Sequence, residues 1–116
     1  MKYIEKEDRP WGSFYIIIND KNFKLKIIKV KPLQKLSLQY HNKRDESWTI
    51  VNGSGLATVG DKKLDLKYGD SLKINKKQIH RIENTGDTDL IFVETQTGEY
   101  FGEDDIVRIK DDYNRI

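Results

Sequence analysis

The feature that most constrains the fold of this chain is a series of short apolar or alternating runs, each ended by turn residues. The run 14–18 ends at Asn19-Asp20, and the run 25–30 ends at Lys31-Pro32. Further runs of the same kind cover residues 36–41, 48–51, 56–59, 63–66, 71–74, 79–82 and 90–94. Many short strands at close, even spacing indicate an all-β sandwich or barrel. No stretch places its apolar residues at helical spacing over several turns.

Residue composition supports strands and removes several kinds of chemistry. The chain has fourteen isoleucines and one alanine, a balance typical of strands. It has no cysteine, which excludes disulfides, zinc-thiolate sites, iron-sulfur clusters and cysteine nucleophiles. Its 116 residues, with no linker or repeat, predict a single domain over 1–116.

The charge pattern argues against nucleic acid and membrane as partners. The net charge of +2 is too weak to predict nucleic-acid binding. Lysines alternate with apolar residues over 23–31, which predicts a half-buried strand with its lysines in solvent. No apolar run approaches the roughly 20 residues that span a bilayer, and residues 1–8 lack a signal-peptide segment. We therefore expect a cytoplasmic protein.

The only two histidines of the chain fall in a pattern that predicts a metal site. Gln39 lies two residues before His41, so both side chains leave a strand from the same face. Glu46 follows after a short break, where a neighbouring strand could present it, and a third strand would bring His80. One amide oxygen, two imidazole nitrogens and one carboxylate suit a divalent metal. Zn is our first choice, with Co, Ni, Mn and Fe as alternatives.

The spacing around these residues resembles the two-motif pattern of the cupin superfamily. Glu46 is followed after six residues by Gly53, and a second cluster contains Gly69, His80 and Asn84. In cupins the first motif ends with His-x-His, four residues, Glu, six residues and Gly. The resemblance implies a jelly-roll barrel, also called a double-stranded β-helix, with a metal in its mouth and a barrel core at about 9–109.

Four positions depart from the general cupin pattern. Gln39 stands where the first histidine is usual, and Leu33 stands where a glycine opens the first motif. In the second motif Asn75 and Lys77 replace a usual proline and glycine.

A narrower resemblance covers nearly the whole chain. Four segments in order look like the type II mannose-6-phosphate isomerase domain, which is commonly fused behind a mannose-1-phosphate guanylyltransferase. These segments are RPWGSF at 9–14, LSLQYH at 36–41, HRIEN at 80–84 and TGEYFGEDDIVR at 97–108. That domain also has Gln at the first ligand position. The resemblance implies metal-dependent isomerisation of a hexose phosphate, mannose-6-phosphate to fructose-6-phosphate, and a homodimer of the kind frequent among cupins.

Two short stretches depart from the isomerase family. The family often has three consecutive histidines where this chain has His41, Asn42 and Lys43. It often has a histidine where this chain has Ser47.

An isomerase needs a base to take the proton next to the carbonyl. Because both histidines are assigned to the metal, the base must be another residue. Lys43, Asp45 and Glu94 are the candidates, and the sequence does not choose among them.

Cationic residues are candidates for the phosphate group of the substrate. Arg44 is our choice for charge stabilisation or phosphate capture, because a guanidinium binds phosphate through two parallel hydrogen bonds. The family segments alone add Arg9 and Arg108 as substrate-binding residues.

Two other functions stay open. The altered loop 42–47 favours a non-catalytic module that binds a sugar or a sugar phosphate. A mononuclear-iron oxygenase is the other alternative, because two histidines and one carboxylate can leave open positions for O₂.

Two structural expectations concern residues outside the ligand set. Trp11, Phe14 and Trp48 are expected to pack in the core or in a dimer contact. The acidic stretch 103–105 is expected to cap a short helical turn rather than to bind a second metal.

Overall fold

Eleven β-strands make up the fold. The structure, a computed structural model, describes residues 1–116. The strands are β1 (Glu5–Arg9), β2 (Gly12–Asn19), β3 (Phe23–Val30), β4 (Leu38–Tyr40), β5 (Arg44–Asn52), β6 (Ser54–Val59), β7 (Lys62–Lys67), β8 (Ser71–Ile74), β9 (His80–Asn84), β10 (Leu90–Gly98) and β11 (Val107–Lys110). The chain has no helix with the length and apolar character needed to span a membrane.

The strands form two antiparallel sheets, as the all-β prediction requires. The six-stranded sheet has the order β1-β2-β3-β10-β5-β8, and the five-stranded sheet has the order β11-β4-β9-β6-β7. Strand β10 pairs with β3 on one side and with β5 on the other, so distant parts of the chain become neighbours. Antiparallel sheets of this kind pack one face on a core and leave the other exposed.

The hydrophobic core lies on the inward faces of both sheets. Its members include Ile50 and Phe92 of the six-stranded sheet and Ile82 of the five-stranded sheet, each with at most 1% of its surface exposed. The three aromatic residues expected in the core, Trp11, Phe14 and Trp48, are all part of it.

Two lysines of β3 contradict the expectation that the lysines of 23–31 face solvent. Lys24 and Lys26 lie on the inward face of β3 and expose only 6% and 2% of their surface. A buried ammonium requires a counter-charge. Glu103 supplies it, with its carboxylate 3.4 Å from the Lys24 Nζ and 2.5 Å from the Lys26 Nζ.

The acidic stretch does not cap the expected helical turn. Residues 99–106, the acidic loop, connect β10 to β11 without forming a helix. The Asp105 carboxylate accepts hydrogen bonds from the backbone N–H groups of Asn42 and Lys43, at 3.0 and 2.9 Å. The acidic loop is therefore fastened to the start of β5 by Asp105 and to β3 by Glu103.

Two strands have no counterpart in the sequence pattern. β1 and β11 are short, charged and mostly exposed, and each lies at the edge of its sheet. An edge strand has one neighbour and often carries charged side chains, so it need not show the apolar alternation that predicts interior strands.

Candidate metal centre

Three strands bring the histidines and Glu46 together inside the barrel. His80 opens β9 and is the register partner of Gln39 on β4, while His41 follows β4 directly. Glu46 comes from β5 in the other sheet. One ligand atom from each of His41, Glu46 and His80 lies within 4.8 Å of the other two. All three residues are at least 97% buried, so the sequence spacing does correspond to a cluster in space.

Backbone carbonyls orient both imidazole rings. The Nδ1 of His41 lies 2.6 Å from the Asp105 carbonyl oxygen, and the Nδ1 of His80 lies 2.8 Å from the Gln78 carbonyl oxygen. A carbonyl only accepts, so each Nδ1 carries the proton and donates it. Each Nε2 is then left with a lone pair, and both point toward Glu46, at 3.2 Å for His41 and 3.8 Å for His80. This tautomer is the one that metal-binding histidines adopt.

Burial keeps both histidines neutral. Desolvation is the main cause that lowers the pKa of His41 to about 4, and the Arg44 charge adds to it. Desolvation also lowers the pKa of His80. A neutral imidazole is the form that donates a lone pair to a metal.

Arg44 lies against two of the ligand atoms. Its Nη2 is 2.8 Å from the Glu46 Oε2 and 3.3 Å from the His41 Nε2, and its Nε donates to the same carboxylate at 2.9 Å. Arg44 is 5% exposed. The guanidinium is therefore an ion-pair partner of a candidate ligand.

A second carboxylate lies beside the centre, on the same inward face. Strands β5 and β10 pair Glu46 with Gln96 and Trp48 with Glu94. The Trp48 indole N–H lies 3.1 Å from an oxygen of Glu46 and 3.1 Å from an oxygen of Glu94, and the Gln96 amide donates to the other Glu94 oxygen at 2.8 Å. Burial raises the pKa of Glu94 to about 7, and the negative charge of Glu46 contributes.

The donor set fits a divalent metal. The His80 Nε2 is a buried polar atom without a hydrogen-bond partner, and such atoms are rare unless a ligand satisfies them. Two neutral imidazoles and a carboxylate suit Zn and the neighbouring transition metals. Gln39 completes the set only with its amide rotated, because its Oε1 now accepts from Ser37 at 2.6 Å while its Nε2 faces His41 at 3.5 Å.

One cavity joins the centre to several cationic residues. It is lined by Gln39, His41 and Glu94 together with Arg9 and Arg108. Three further cations, Lys26, Arg44 and Arg115, line the same cavity.

Two of the residues considered as bases lie elsewhere. The exposed Lys43 places its Nζ 5.2 Å from the centre of the Tyr100 ring, and Asp45 accepts a hydrogen bond from the Lys76 backbone N–H. Neither residue lines the cavity that Glu94 lines.

Sequence reasoning did not single out three residues of this region. Two of them follow the alternation of a strand. Gln96 comes two residues after Glu94, and Lys26 comes two residues before Ile28. That period could have placed both on an inward face. Arg115 has no such signal, because it lies beyond the last strand and reaches the cavity only through the path of the chain end.

The fold and this centre define a cupin-type protein, a double-stranded β-helix with a buried His-Glu-His group that could bind a metal. The capsular polysaccharide assembling protein CapF from Staphylococcus aureus has the same fold, with a TM-score of 0.79 at 20% identity over 96% of this chain and 34% of that chain. A protein with a double-stranded β-helix domain from Klebsiella pneumoniae has a TM-score of 0.73 at 19% identity over 84% and 83% of the two chains.

The chain belongs to the mannose-6-phosphate isomerase C-terminal family, whose model matches residues 1–111. The family resemblance and the fold class predicted from the sequence are thereby confirmed.

Full-length relatives are several times longer than this chain. The xanthan biosynthesis protein XanB of Xanthomonas campestris pv. campestris is 44% identical over 107 residues, which is 92% of this chain and 23% of XanB. The alginate biosynthesis protein AlgA of Pseudomonas aeruginosa is 42% identical over 107 residues, which is 92% of this chain and 22% of AlgA. The chain thus spans less than a quarter of these relatives.

Proposed function

We propose that this protein is a metal-dependent aldose-ketose isomerase acting on a hexose phosphate, converting mannose-6-phosphate to fructose-6-phosphate. The observation that carries the proposal is the juxtaposition of a buried His-Glu-His group with the buried carboxylate of Glu94 beside one cavity. The family membership over residues 1–111 supplies the substrate class.

The metal would be held by Gln39, His41, Glu46 and His80. When bound, it supplies a Lewis acid that polarises the carbonyl oxygen of the substrate. Zn stays our first choice, because the ligands are borderline-soft nitrogens and a carboxylate.

Glu94 is the residue we assign as the base. Isomerisation of the open-chain aldose moves one proton from C2 to C1 and a second from the C2 hydroxyl to the C1 carbonyl oxygen. One carboxylate can take the first proton from C2 and return it to C1. Glu94 lines the cavity, whereas Lys43 and Asp45 do not. The indole N–H of Trp48 and the amide of Gln96 fix the orientation of its two oxygens.

The departures from the isomerase family lie outside the cavity. Asn42, Lys43 and Ser47 are all exposed, and none of them lines the cavity. The first two belong to the turn before β5, and the third lies on its outward face. Their replacement therefore leaves the ligands and Glu94 unchanged, which favours the isomerase over a module that lost its activity.

A non-catalytic sugar-binding module is the second candidate. It is favoured by the contact of Arg44 with Glu46 and His41, because a guanidinium at these atoms opposes a metal in the same place.

A coupled assay for fructose-6-phosphate formation tests the proposal. The protein is reconstituted with Zn, Co, Mn or Ni, and turnover of mannose-6-phosphate is expected with at least one of them. Glu94→Gln should lower kcat by about 10²–10⁴-fold, the usual contribution of a general base. Lys43→Gln is the matched control and should stay within about twofold, because its side chain lies outside the cavity. Absence of turnover in metal-loaded protein would leave the binding module as the function.

Metal content provides the independent prediction. We expect His41→Ala and His80→Ala each to reduce bound metal to the background measured by elemental analysis, because each removes one inward Nε2. Circular dichroism should still show the β-sheet, since the core lies largely elsewhere. Tyr68→Ala, at an exposed turn position, is the control and should bind metal like the parent protein. A variant that keeps its metal would exclude that histidine as a ligand.

A further inference from the structure

The cations of the cavity differ in whether the protein itself neutralises them. Four of the five have a carboxylate at ion-pair distance: Lys26 with Glu103, Arg44 with Glu46, Arg9 with Glu7, and Arg115 with Asp111. Arg108, the fifth, takes part in none of the ion pairs of the chain.

Arg108 also lacks other compensation for its burial. Its Nε is buried and has no hydrogen-bond partner. Burial lowers the pKa of Arg108 and the neighbouring charge of Arg115 lowers it further, while the more weakly acting charge of Asp111 opposes both. A buried guanidinium nitrogen without an acceptor is unfavourable in the free protein. Such an arrangement is expected where a ligand supplies the missing negative charge.

The strand register places Arg108 next to the metal centre. Arg108 on β11 is the direct cross-strand partner of Gln39 on β4, and both line the cavity. Directly opposed residues have Cβ atoms about 5 Å apart. The separation between an anion bound by Arg108 and the ligand residues is therefore about the length of one long side chain. A single small molecule can span that separation.

We propose that Arg108 is the principal binding residue for the phosphate group of the ligand, with Arg9 and Arg115 flanking it. A guanidinium can hold two oxygens of a phosphate monoester through parallel hydrogen bonds. Arg9 and Arg115 contribute less, because each already has its own carboxylate.

The identity of the sugar rests on the proposed function, but the anion site itself does not. A cupin that only binds a phosphorylated sugar would need the same residue. The tests below therefore measure binding and stability without turnover.

Thermal unfolding in inorganic phosphate is the first test. Phosphate should raise the Tm of the parent protein relative to chloride at equal ionic strength, because a ligand that binds the folded state stabilises it. Arg108→Met should abolish this shift, and Lys110→Met, an exposed cation on the same strand, should keep it. Without phosphate, Arg108→Met should unfold at the parent Tm or above it, since it removes an unpaired charge. A lower Tm would assign Arg108 a structural role and overturn the proposal.

Calorimetric titration with a hexitol 6-phosphate and with the unphosphorylated hexitol is the second test. Neither compound has a carbonyl, so neither can be isomerised. Arg108→Met should weaken binding of the phosphate ester by roughly 10–100-fold, the value of a charge-assisted hydrogen-bond pair. Binding of the neutral hexitol should be unchanged. Arg115→Met should weaken the ester less, and Lys110→Met should leave it unchanged. Equal effects of Arg108→Met on both compounds would exclude phosphate recognition by Arg108.

The two proposals fail in different ways. If the metal-loaded protein has no isomerase activity while Arg108→Met binds the phosphate ester more weakly than the parent protein does, the anion-site proposal holds and the isomerase proposal is wrong. If turnover is present and Arg108→Met binds the ester with the affinity of the parent protein, the anion-site proposal is wrong and the isomerase proposal holds.

Discussion

At the scale of single residues, Arg44 places a positive charge where a metal would bind. Its guanidinium contacts the Glu46 Oε2 and the His41 Nε2. We expect Arg44→Met to raise metal affinity, because it removes the repulsion and frees both ligand atoms. In the presence of a chelator the same variant should lose about 3–5 kcal/mol of stability, since the buried Glu46 carboxylate is left unpaired.

Two measurements check this pair of effects for Arg44. Competition with a chromophoric chelator gives the metal affinity, and urea unfolding with and without metal gives the stability. Arg44→Lys is the control: it keeps the charge but has one nitrogen, so it cannot contact Glu46 through the two nitrogens that Arg44 uses. Weaker metal binding by Arg44→Met would mean that the guanidinium supports the centre instead of competing with the metal.

Residue spacing predicted the ligand cluster but not its neighbours. The spacing of Gln39, His41 and Glu46, with His80 expected from a third strand, predicted residues that lie close together in the structure. The ion pair of Lys26 was out of reach, because its partner Glu103 is 77 residues away in a loop without periodicity. Pairs of this kind are created by the topology and leave no local pattern.

At the scale of elements, the acidic loop depends on the ion pair between Glu103 and Lys26. Burial alone would raise the pKa of Glu103, but the Lys26 charge outweighs it and lowers the pKa from 4.5 to about 2. A carboxyl whose pKa is lower in the folded state stabilises the fold above its unfolded pKa. This stabilisation should therefore be present above pH 4.5 and be lost as the pH falls toward 2.

Glu103→Gln should remove the pH-dependent stabilisation that this ion pair provides. We expect a loss of about 1–2 kcal/mol in urea unfolding at pH 7, a value discounted because 36% of the Glu103 side chain is exposed to screening solvent. At pH 3 the difference from the parent protein should be smaller. Glu99→Gln, an exposed position of the same loop, is the control and should change stability little. A difference that does not vary with pH would contradict the ion-pair explanation.

The turn before β9 keeps a glycine-like conformation without a glycine. Lys77 has φ of 64°, in the left-handed region, at a position where cupins usually have glycine. A side chain in this conformation costs about 1–2 kcal/mol. Glycine avoids that cost, but its flexibility in the unfolded state lowers the stability by about 0.5–1 kcal/mol. Lys77→Gly should therefore raise the stability by roughly 0.5–1 kcal/mol.

Chemical denaturation distinguishes this conformational effect from loss of the Lys77 side chain. The Lys77 backbone N–H donates to the His41 carbonyl at 2.7 Å, and glycine retains that hydrogen bond. Lys76→Gly is the matched control, because Lys76 is also exposed but has no positive φ. It should lose about 0.5–1 kcal/mol. Equal losses at both positions would show that strain at Lys77 is absent.

The runs predicted from the sequence correspond to the interior strands and to two of the four edge strands, β7 and β8. Runs such as 25–30 and 90–94 correspond to β3 and β10 in the middle of a sheet. The short β4 is formed by only three residues of the predicted run 36–41. The edge strands β1 and β11 carried no signal.

At the scale of the whole molecule, the two sheets divide their inward faces between packing and chemistry. Strand β10 shows the division: Leu90 and Phe92 pack in the hydrophobic core, and Glu94 and Gln96 line up beside the candidate metal centre. The apolar part fixes the two sheets against each other. It thereby holds polar groups from distant parts of the chain at fixed positions, which is the condition for a preorganised site.

The outer face of the six-stranded sheet carries one row with three apolar side chains. The strand register sets Tyr15, Ile27, Val93 and Thr49 side by side on that face. The first three are only half-buried within the single chain. Adjacent apolar side chains that stay partly exposed on a sheet are where we expect a contact between proteins.

A homodimer, expected from the resemblance to cupins, remains a prediction, and this outer face is where we expect its contact. Two copies related by a two-fold axis can pair the same apolar row with itself. A stable contact of that type buries about 800 Å² on each partner. Sedimentation analysis should give twice the chain mass of 13.7 kDa. Val93→Lys should shift it to the single-chain mass, because it places a charge in the middle of the row, whereas Leu64→Lys on the other sheet should not. A parent protein that sediments as one chain would exclude the dimer, and a dimer insensitive to Val93→Lys would place the contact on another surface.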